Sequence, residues 1–489
     1  MTDDKEKKDV QKTEEKPCSE EKPIPEPVKT DHQIRVNGRT LDYTALAGML
    51  PIRDQEKGDI TARVFFTAYM LDDIGDTSLR PLVFVFNGGP GSSSVWLHMG
   101  ALGPKRVKMH DEGWMPKPPF TLEDNAHTWL DLADLVFIDP VGTGFSRAAD
   151  PEKKKEFWTL ENDLKSVGEF IRLFLTRYQR WHSPLFLAGE SYGTTRAAGL
   201  AGALYDQGIA FNGIVLLSTV LNFQTILFEE GNDLPYMLFL PTYAATAWYH
   251  DKLPPGLQEK PLEDVLAEVE AWAETDYMVA LAKGDRLTEQ ERAIVIAQLA
   301  RYTGLDPHFI GLANLRIYAW HFFKELLRDE GYTVGRIDSR FKGLDKRGVS
   351  EYPDYDPSMV AIGPPYTATF NQYVREKLGY ETDDKYEILS HDVNRGWEWD
   401  RGKFPDTSEA LRSATAKNPY MHVLAAMGYY DLATPHFGTE YTLSHMNLAP
   451  SVRANFRVTT YPAGHMFYLD INALAQFKED VADFIQSAL

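Results

Sequence analysis

Cysteine is almost missing from this chain: Cys18 is the only one in 489 residues, so no intramolecular disulfide can form. No uninterrupted apolar run reaches the roughly 18–20 residues of a membrane-spanning helix, and none near the N-terminus reads as a signal peptide. Both absences point to a reducing compartment. We expect a cytoplasmic protein, or an exported one whose leader has been removed. Basic residues are also in deficit, 51 Lys and Arg against 71 Asp and Glu, giving a net charge of −20. A body that acidic excludes nucleic acid and anionic membrane as expected partners. The first 30 residues lack aromatics and leucine and hold nine acids and seven lysines. Such a segment buries too little apolar surface to offset its chain entropy, so a disordered tail is expected over residues 1–32. The tail carries only −2, so the acidity belongs to the folded body.

What is present is a core-forming composition, 43% hydrophobic and 12% aromatic, in a chain long enough for one large domain with an insertion or for two domains. Val36-Asn37-Gly38-Arg39 reads as a hairpin turn, and alternation over residues 62–68 reads as an edge strand. Residues 82–86, 135–138, 185–188 and 213–218 are short apolar runs of the buried-strand type. Between them, residues 161–178 carry an apolar stripe at helical spacing. Strand and helix alternating in this way predict a mostly parallel α/β sheet. From about 221 to 412 the pattern turns helical. Helices are expected over 262–282, over 288–303 behind the capping box Thr288-x-x-Glu291, and from Asp306-Pro307 to about 329. The aromatic clusters Trp397-Glu398-Trp399-Asp400 and Tyr352-Pro353-Asp354-Tyr355 are expected to pack rather than meet substrate. Strand pattern returns at 422–426 and 453–461, and an amphipathic helix closes the chain.

Gly189-Glu190-Ser191-Tyr192-Gly193 follows the 185–188 strand and opens a helix rich in small residues, the setting of a nucleophile elbow. A serine hydroxyl needs a base to remove its proton, and the base needs a carboxylate to orient it. Downstream, one strand ends in Gly428-Tyr429-Tyr430-Asp431 and the next in Pro462-Ala463-Gly464-His465-Met466. Ser191, Asp431 and His465 thus follow the α/β-hydrolase order of nucleophile, acid and base. His436 and His445 are rival bases in a loop and a helix, and Asp431 also reads as a turn residue.

With Asn87-Gly88-Gly89-Pro90-Gly91-Ser92-Ser93-Ser94 and Asp139-Pro140-Val141-Gly142-Thr143-Gly144-Phe145-Ser146 added, the chain resembles the serine carboxypeptidase family of α/β-hydrolases. The resemblance implies a central, mostly parallel sheet formed by residues 33–220 and 413–489, with a large helical cap inserted over 221–412. It also implies that Asn87 and Gly88, helped by Glu190, hold the C-terminal carboxylate of a peptide. Backbone N–H groups of Gly89 and Tyr192 would form the oxyanion hole. Glu190 beside a carboxylate requires one of the two to be protonated. Three departures stand out: Ser92 where the family has cysteine, Ala101 where it has a second acid, and Thr194-Thr195-Arg196 after the elbow. The expected activity is that of a serine-type carboxypeptidase on peptides with a free C-terminus, needing no metal and no other cofactor. An esterase or acyltransferase on the same triad, and a silent peptide-binding protein, are the alternatives. Oligomeric state is not legible.

Overall fold

The computed structural model describes residues 25–54, 56–399 and 402–489. Cys18 and most of the expected tail lie outside them. The tail boundary at 32 is corrected, because Val28–Val36 is already strand β1. It pairs antiparallel with β2 (Arg39–Arg53) through a turn in which Asn37 and Gly38 both take positive φ, the tight hairpin geometry that Asn-Gly supplies.

The main sheet adds β3 (Ile60–Leu71), β4 (Leu82–Phe86), β5 (Asp134–Ile138), β6 (Leu185–Glu190), β7 (Gly213–Leu217), β8 (His422–Gly428) and β9 (Phe456–Tyr461). Their spatial order is β1-β2-β3-β5-β4-β6-β7-β8-β9, antiparallel as far as β5 and parallel from there to β9. Strand β3 was expected at an edge and is interior, lying between β2 and β5. Its apparent alternation misleads because both faces are covered, Phe65 and Phe66 being equally buried. This is an α/β-hydrolase arrangement, with the strand ends that carry chemistry gathered along one edge.

Side-chain alternation divides the core cleanly. Val83, Val85, Phe137, Phe186 and Val215 face one side, where α5 (Pro357–Glu376) and α7 (Ile471–Ser487) pack. Leu82, Phe84, Val136, Leu187 and Ile214 face the other, against α1 (Leu160–Arg177), α2 (Tyr192–Tyr205) and α6 (Ser408–Lys417). Each fully buried Leu, Val or Phe contributes about 1.5–3 kcal/mol, so the two faces hold the sheet firmly from both sides.

The 221–412 insertion is not one body over the sheet. Its first half, around α3 (Leu234–Tyr249) and α4 (Glu289–Thr303), has a core of its own that includes Leu238, Tyr243, Val269, Leu299 and Phe322. Thr288 and Glu291 form the expected capping box at the start of α4. Helices α5 and α6, by contrast, belong to the sheet's two faces. Of the expected helices, the 262–282 segment runs through as residues 262–283 with one π-helical turn at Ala273–Tyr277, and one other is broken. The 306–329 segment splits into Pro307–Leu312 and Ala319–Glu325, with Asn314 and Leu315 at positive φ between them. Tertiary partners override local propensity there. Tyr277 Oη donates to Leu315 O at 2.6 Å, and Arg316 pairs with Asp233 at 2.6 Å. Among the described residues no helix is long and apolar enough to cross a membrane, and no group of three His, Cys, Asp or Glu gathers as for a metal ion.

Candidate active site

Strand β6 delivers Ser191 into a turn with φ 59° and ψ −129°, a conformation costing of the order of 1–3 kcal/mol for a residue with a side chain. Three bonds hold it there. Ser191 N donates to Leu217 O (2.9 Å), and Ser191 O accepts from Thr194 N (2.8 Å) and Thr194 Oγ1 (2.7 Å). The flanking glycines permit the fold-back: a Cβ on Gly189 would sit 2.2 Å from Gly193 O, and one on Gly88 2.4 Å from Tyr192 N. The 87–94 loop leaves β4, the neighbour of β6, so these two stretches meet at one sheet edge.

Asp431 and His465 leave β8 and β9, the second and third strands beyond β6. His465 Nδ1 and Asp431 Oδ2 are 2.7 Å apart. Asp431 also accepts from Ala433 N (2.7 Å), Thr434 N (2.9 Å) and Thr434 Oγ1 (2.7 Å). Four donors suit a buried anion. Burial opposes a charged imidazole, yet the facing Asp431 carboxylate outweighs it and His465 is raised above its ordinary pKa. Both loops are clamped by residues 335–341 of the insertion. Leu432 N donates to Arg336 O (3.1 Å), His465 N to Ile337 O (2.6 Å), and Gly464 N to Asp338 Oδ2 (3.2 Å). Among the described residues no hydrogen bond joins the Ser191 hydroxyl to His465. His436 instead faces Glu270 at 3.2 Å, and His445 sits beside Tyr441 and Ser444, away from Ser191.

Glu190 is buried beside the nucleophile. Burial pushes its carboxyl up to about 7, against the opposing pull of His465, Tyr468 and Asn87. Its partner at 2.6 Å is the hydroxyl of Tyr468. Ala101 stands in a buried π-turn, His98–Leu102, and offers no acid to this network. Asn87 accepts from Leu97 N through Oδ1, and its buried Nδ2 lacks a hydrogen bond of good geometry although the side chain faces Glu190. Among the described residues, neither Gly89 N nor Tyr192 N donates a hydrogen bond. Both edge a cavity of about 540 Å³ that also includes Ser191, Ala433, Thr434 and Trp399. A larger cavity, about 680 Å³ beside Met237 and Phe437, contains none of the candidate residues.

Several contributors were invisible in sequence. Trp399, expected to pack, lines the cavity, while Trp397 packs edge-on against Tyr192. Arg196, one of the three departures, is 1% exposed. Its Nε pairs with Asp163 at 2.8 Å, and its Nη1 donates to Asn87 O at 2.7 Å, tying the elbow helix to the glycine-rich loop. Ser92 Oγ accepts from Trp96 Nε1 (2.9 Å), and the loop is pinned by Ser93 N to Ile388 O (3.0 Å) and Ser390 N to Gly91 O (2.8 Å). Hydrogen bonds to the insertion therefore hold this loop without a cysteine at 92. The 139–146 motif supports it from beneath, Asp139 accepting from Ser94 N and Oγ at 2.9 and 2.8 Å.

With that geometry in view, comparison with known proteins is decisive. The serine carboxypeptidase family model matches residues 40–464. The chain belongs to this family of serine hydrolases. A pheromone-processing carboxypeptidase, KEX1 of Saccharomyces cerevisiae strain JAY291, is 30% identical over 156 residues, covering 30% of this chain and 20% of that protein. Serine carboxypeptidase-like 33 of Arabidopsis thaliana is 33% identical over 136 residues, covering 27% of this chain and 26% of that one. The chain thus spans about a fifth to a quarter of the length of these curated relatives. The crystal structure of a prohormone-processing carboxypeptidase from S. cerevisiae superimposes with a TM-score of 0.57 at 17% identity, covering 90% of this chain and 91% of that one, a likeness of fold.

Proposed function

We propose that this protein is a serine carboxypeptidase that releases C-terminal residues from peptides with a free carboxylate. Ser191 attacks the terminal peptide carbonyl, and His465 accepts the hydroxyl proton and returns it to the leaving amine. Asp431 holds the ring and favours its charged form. The oxyanion is met by Gly89 N and by Tyr192 N, the latter at the electropositive start of α2. Water then attacks the ester as His465 takes its proton, and His465 returns that proton to Ser191 as the ester bond breaks and the shortened peptide acid leaves. No step draws on a metal or a cofactor.

The observation carrying this reading is the Glu190 carboxyl, buried next to the nucleophile and raised to about 7. In its protonated form it can donate to a substrate carboxylate, and the unpaired Asn87 Nδ2 offers a second donor. An esterase has no use for such a pair. As pH rises through 7, Glu190 ionises and repels a peptide acid, while a peptide ester carries no charge to be repelled. At the acid end His465 must be neutral to act as base, and its raised pKa moves that limb upward. Because the two groups feel each other, the limbs are properties of the pair. The test is kcat/KM against pH for a matched peptide acid and ester. A narrow bell for the acid and an alkaline plateau for the ester are expected, and superimposable profiles would promote the esterase.

A further inference from the structure

A cation, Arg336, borders the cavity over Ser191. Arg336 lines it, half-buried, and among the described residues its guanidinium takes part in no ion pair and no hydrogen bond. This is unusual in a body of net charge −20. Nearby arginines are all engaged: Arg340 with Asp338 (2.8 Å) and Asp470 (3.1 Å), and Arg316 with Asp233 (2.6 Å). The Arg336 backbone is also fixed, its N–H donating to Asp356 Oδ1 (3.1 Å) and its carbonyl accepting from Leu432 N (3.1 Å). The side chain is therefore presented from a rigid loop. Its charge reaches the reaction centre, opposing protonation of His465.

We infer that Arg336 makes this cavity select substrates with an acidic side chain at the penultimate residue. The inference rests on the carboxypeptidase reading. If the terminal carboxylate lies at Asn87 and Glu190, neither of which borders the cavity, the residue bearing the attacked carbonyl must turn its side chain the other way. That way leads past Ser191, Gly89 and Tyr192 into the cavity. Val220, Phe223, Ile226, Leu227 and Trp399 give it an apolar wall for the methylene stem, and Arg336 gives the carboxylate a forked, charge-assisted partner. Glu229 and Lys403 also border it, but both are exposed at the rim, where water and salt screen them. The half-buried guanidinium is screened less and dominates.

The test uses the full chain and three blocked dipeptide acids sharing one C-terminal residue, with Glu, Gln or Lys at the penultimate position. Glu is expected to exceed Gln by about tenfold in kcat/KM, the worth of one charge-assisted hydrogen bond, and Lys by more. Arg336→Gln should bring the Glu-to-Gln ratio to about one, Arg336→Lys should keep part of it, and Lys403→Gln should move it least. A ratio of one or below in the unaltered protein overturns the inference. So does a ratio that survives Arg336→Gln or that falls more in Lys403→Gln. If Arg336→Gln melts early, inhibition of the unaltered protein by blocked glutamate against blocked glutamine, the acyl products, decides instead. If folded protein that labels with a fluorophosphonate cleaves no peptide acid, the carboxypeptidase reading fails by itself. Blocked Glu, Gln and Lys esters then read the cavity's preference separately, and absence of a Glu preference there overturns it too.

Discussion

Two buried carboxyls stand at the same sheet edge and face the same imidazole, yet their surroundings differ. The loop after β8 gives Asp431 three donors, two of them backbone N–H groups from its own turn, and His465 from the loop after β9 is the fourth. Glu190, on the elbow after β6, has one hydrogen bond of good geometry, from Tyr468 Oη, and its burial outweighs the pull of His465, Tyr468 and Asn87. One carboxyl is ringed by donors, and the other has few and is pushed up to about 7 by its burial. Environment, rather than residue type, sets the two carboxyls apart, and the proposed roles of orienting acid and substrate-facing proton donor rest on that difference.

The comparison is broken most severely at the Asp431 end. Ser191→Ala and His465→Ala are each expected to lower kcat by several orders of magnitude, and Asp431→Asn by about 10³–10⁴-fold, with Ser191→Ala/His465→Ala no worse than either single change. Steady-state kinetics on a peptide acid checks this, and full activity in Asp431→Asn would return Asp431 to the status of a turn residue. Next in size is the scaffold beneath Glu190. Arg196→Met leaves Asp163 buried and uncompensated, at a cost of about 3–5 kcal/mol in denaturant unfolding. Adding Asp163→Leu is expected to recover much of that loss, and a double variant as unstable as the single would show that the bond to Asn87 O matters more than the charge.

The Glu190 end yields a smaller effect of opposite sign. Its folded pKa of about 7 lies above the model-peptide range, so stability is fully present below about 4.3 and falls as pH rises to about 7. A shift of that size costs roughly 3–4 kcal/mol above neutrality. Glu190→Gln should therefore raise the melting temperature at pH 8 and barely change it at pH 4, while removing the alkaline loss for peptide acids. Equal melting shifts at the two pH values would mean that Glu190 is already charged in the fold. The mildest change is Thr434→Val. It removes one of the four donors to Asp431, worth about 1.5–3 kcal/mol for a bond to a charged group, and should cut kcat about tenfold with little effect on KM. A KM change alone would place Thr434 with the substrate instead.

The insertion sharpens the same contrast. Trimming residues 221–412 would remove α5 from one face of the core and the first half of α6 from the other, together with the 335–341 loop that clamps the Asp431 and His465 turns. It is a supporting part of the reaction centre as well as a cover. That dependence had no sequence signal, because Arg336, Ile337 and Asp338 lie about a hundred residues or more from the loops they hold.

What the sequence determined by itself was local. Strand, glycine, serine, glycine and helix are contiguous, so β6, the strained Ser191 turn and α2 follow from neighbours along the chain. The same holds for the buried strands, whose apolar runs need no partner to be recognised, and for the capping box at Thr288. What the tertiary structure decided was long-range. It put β3 inside the sheet, broke one apparently continuous helix at Asn314 and Leu315, and set Trp399 at a cavity wall. It joined Tyr468 to Glu190 across 278 residues, paired Arg196 with Asp163, and left Arg336 without an ion pair among the described residues. The physical reason is common to all of these. A motif records backbone geometry that adjacent residues impose. A donor's partner, a charge's solvation and a side chain's exposure are set by which distant segments pack beside it.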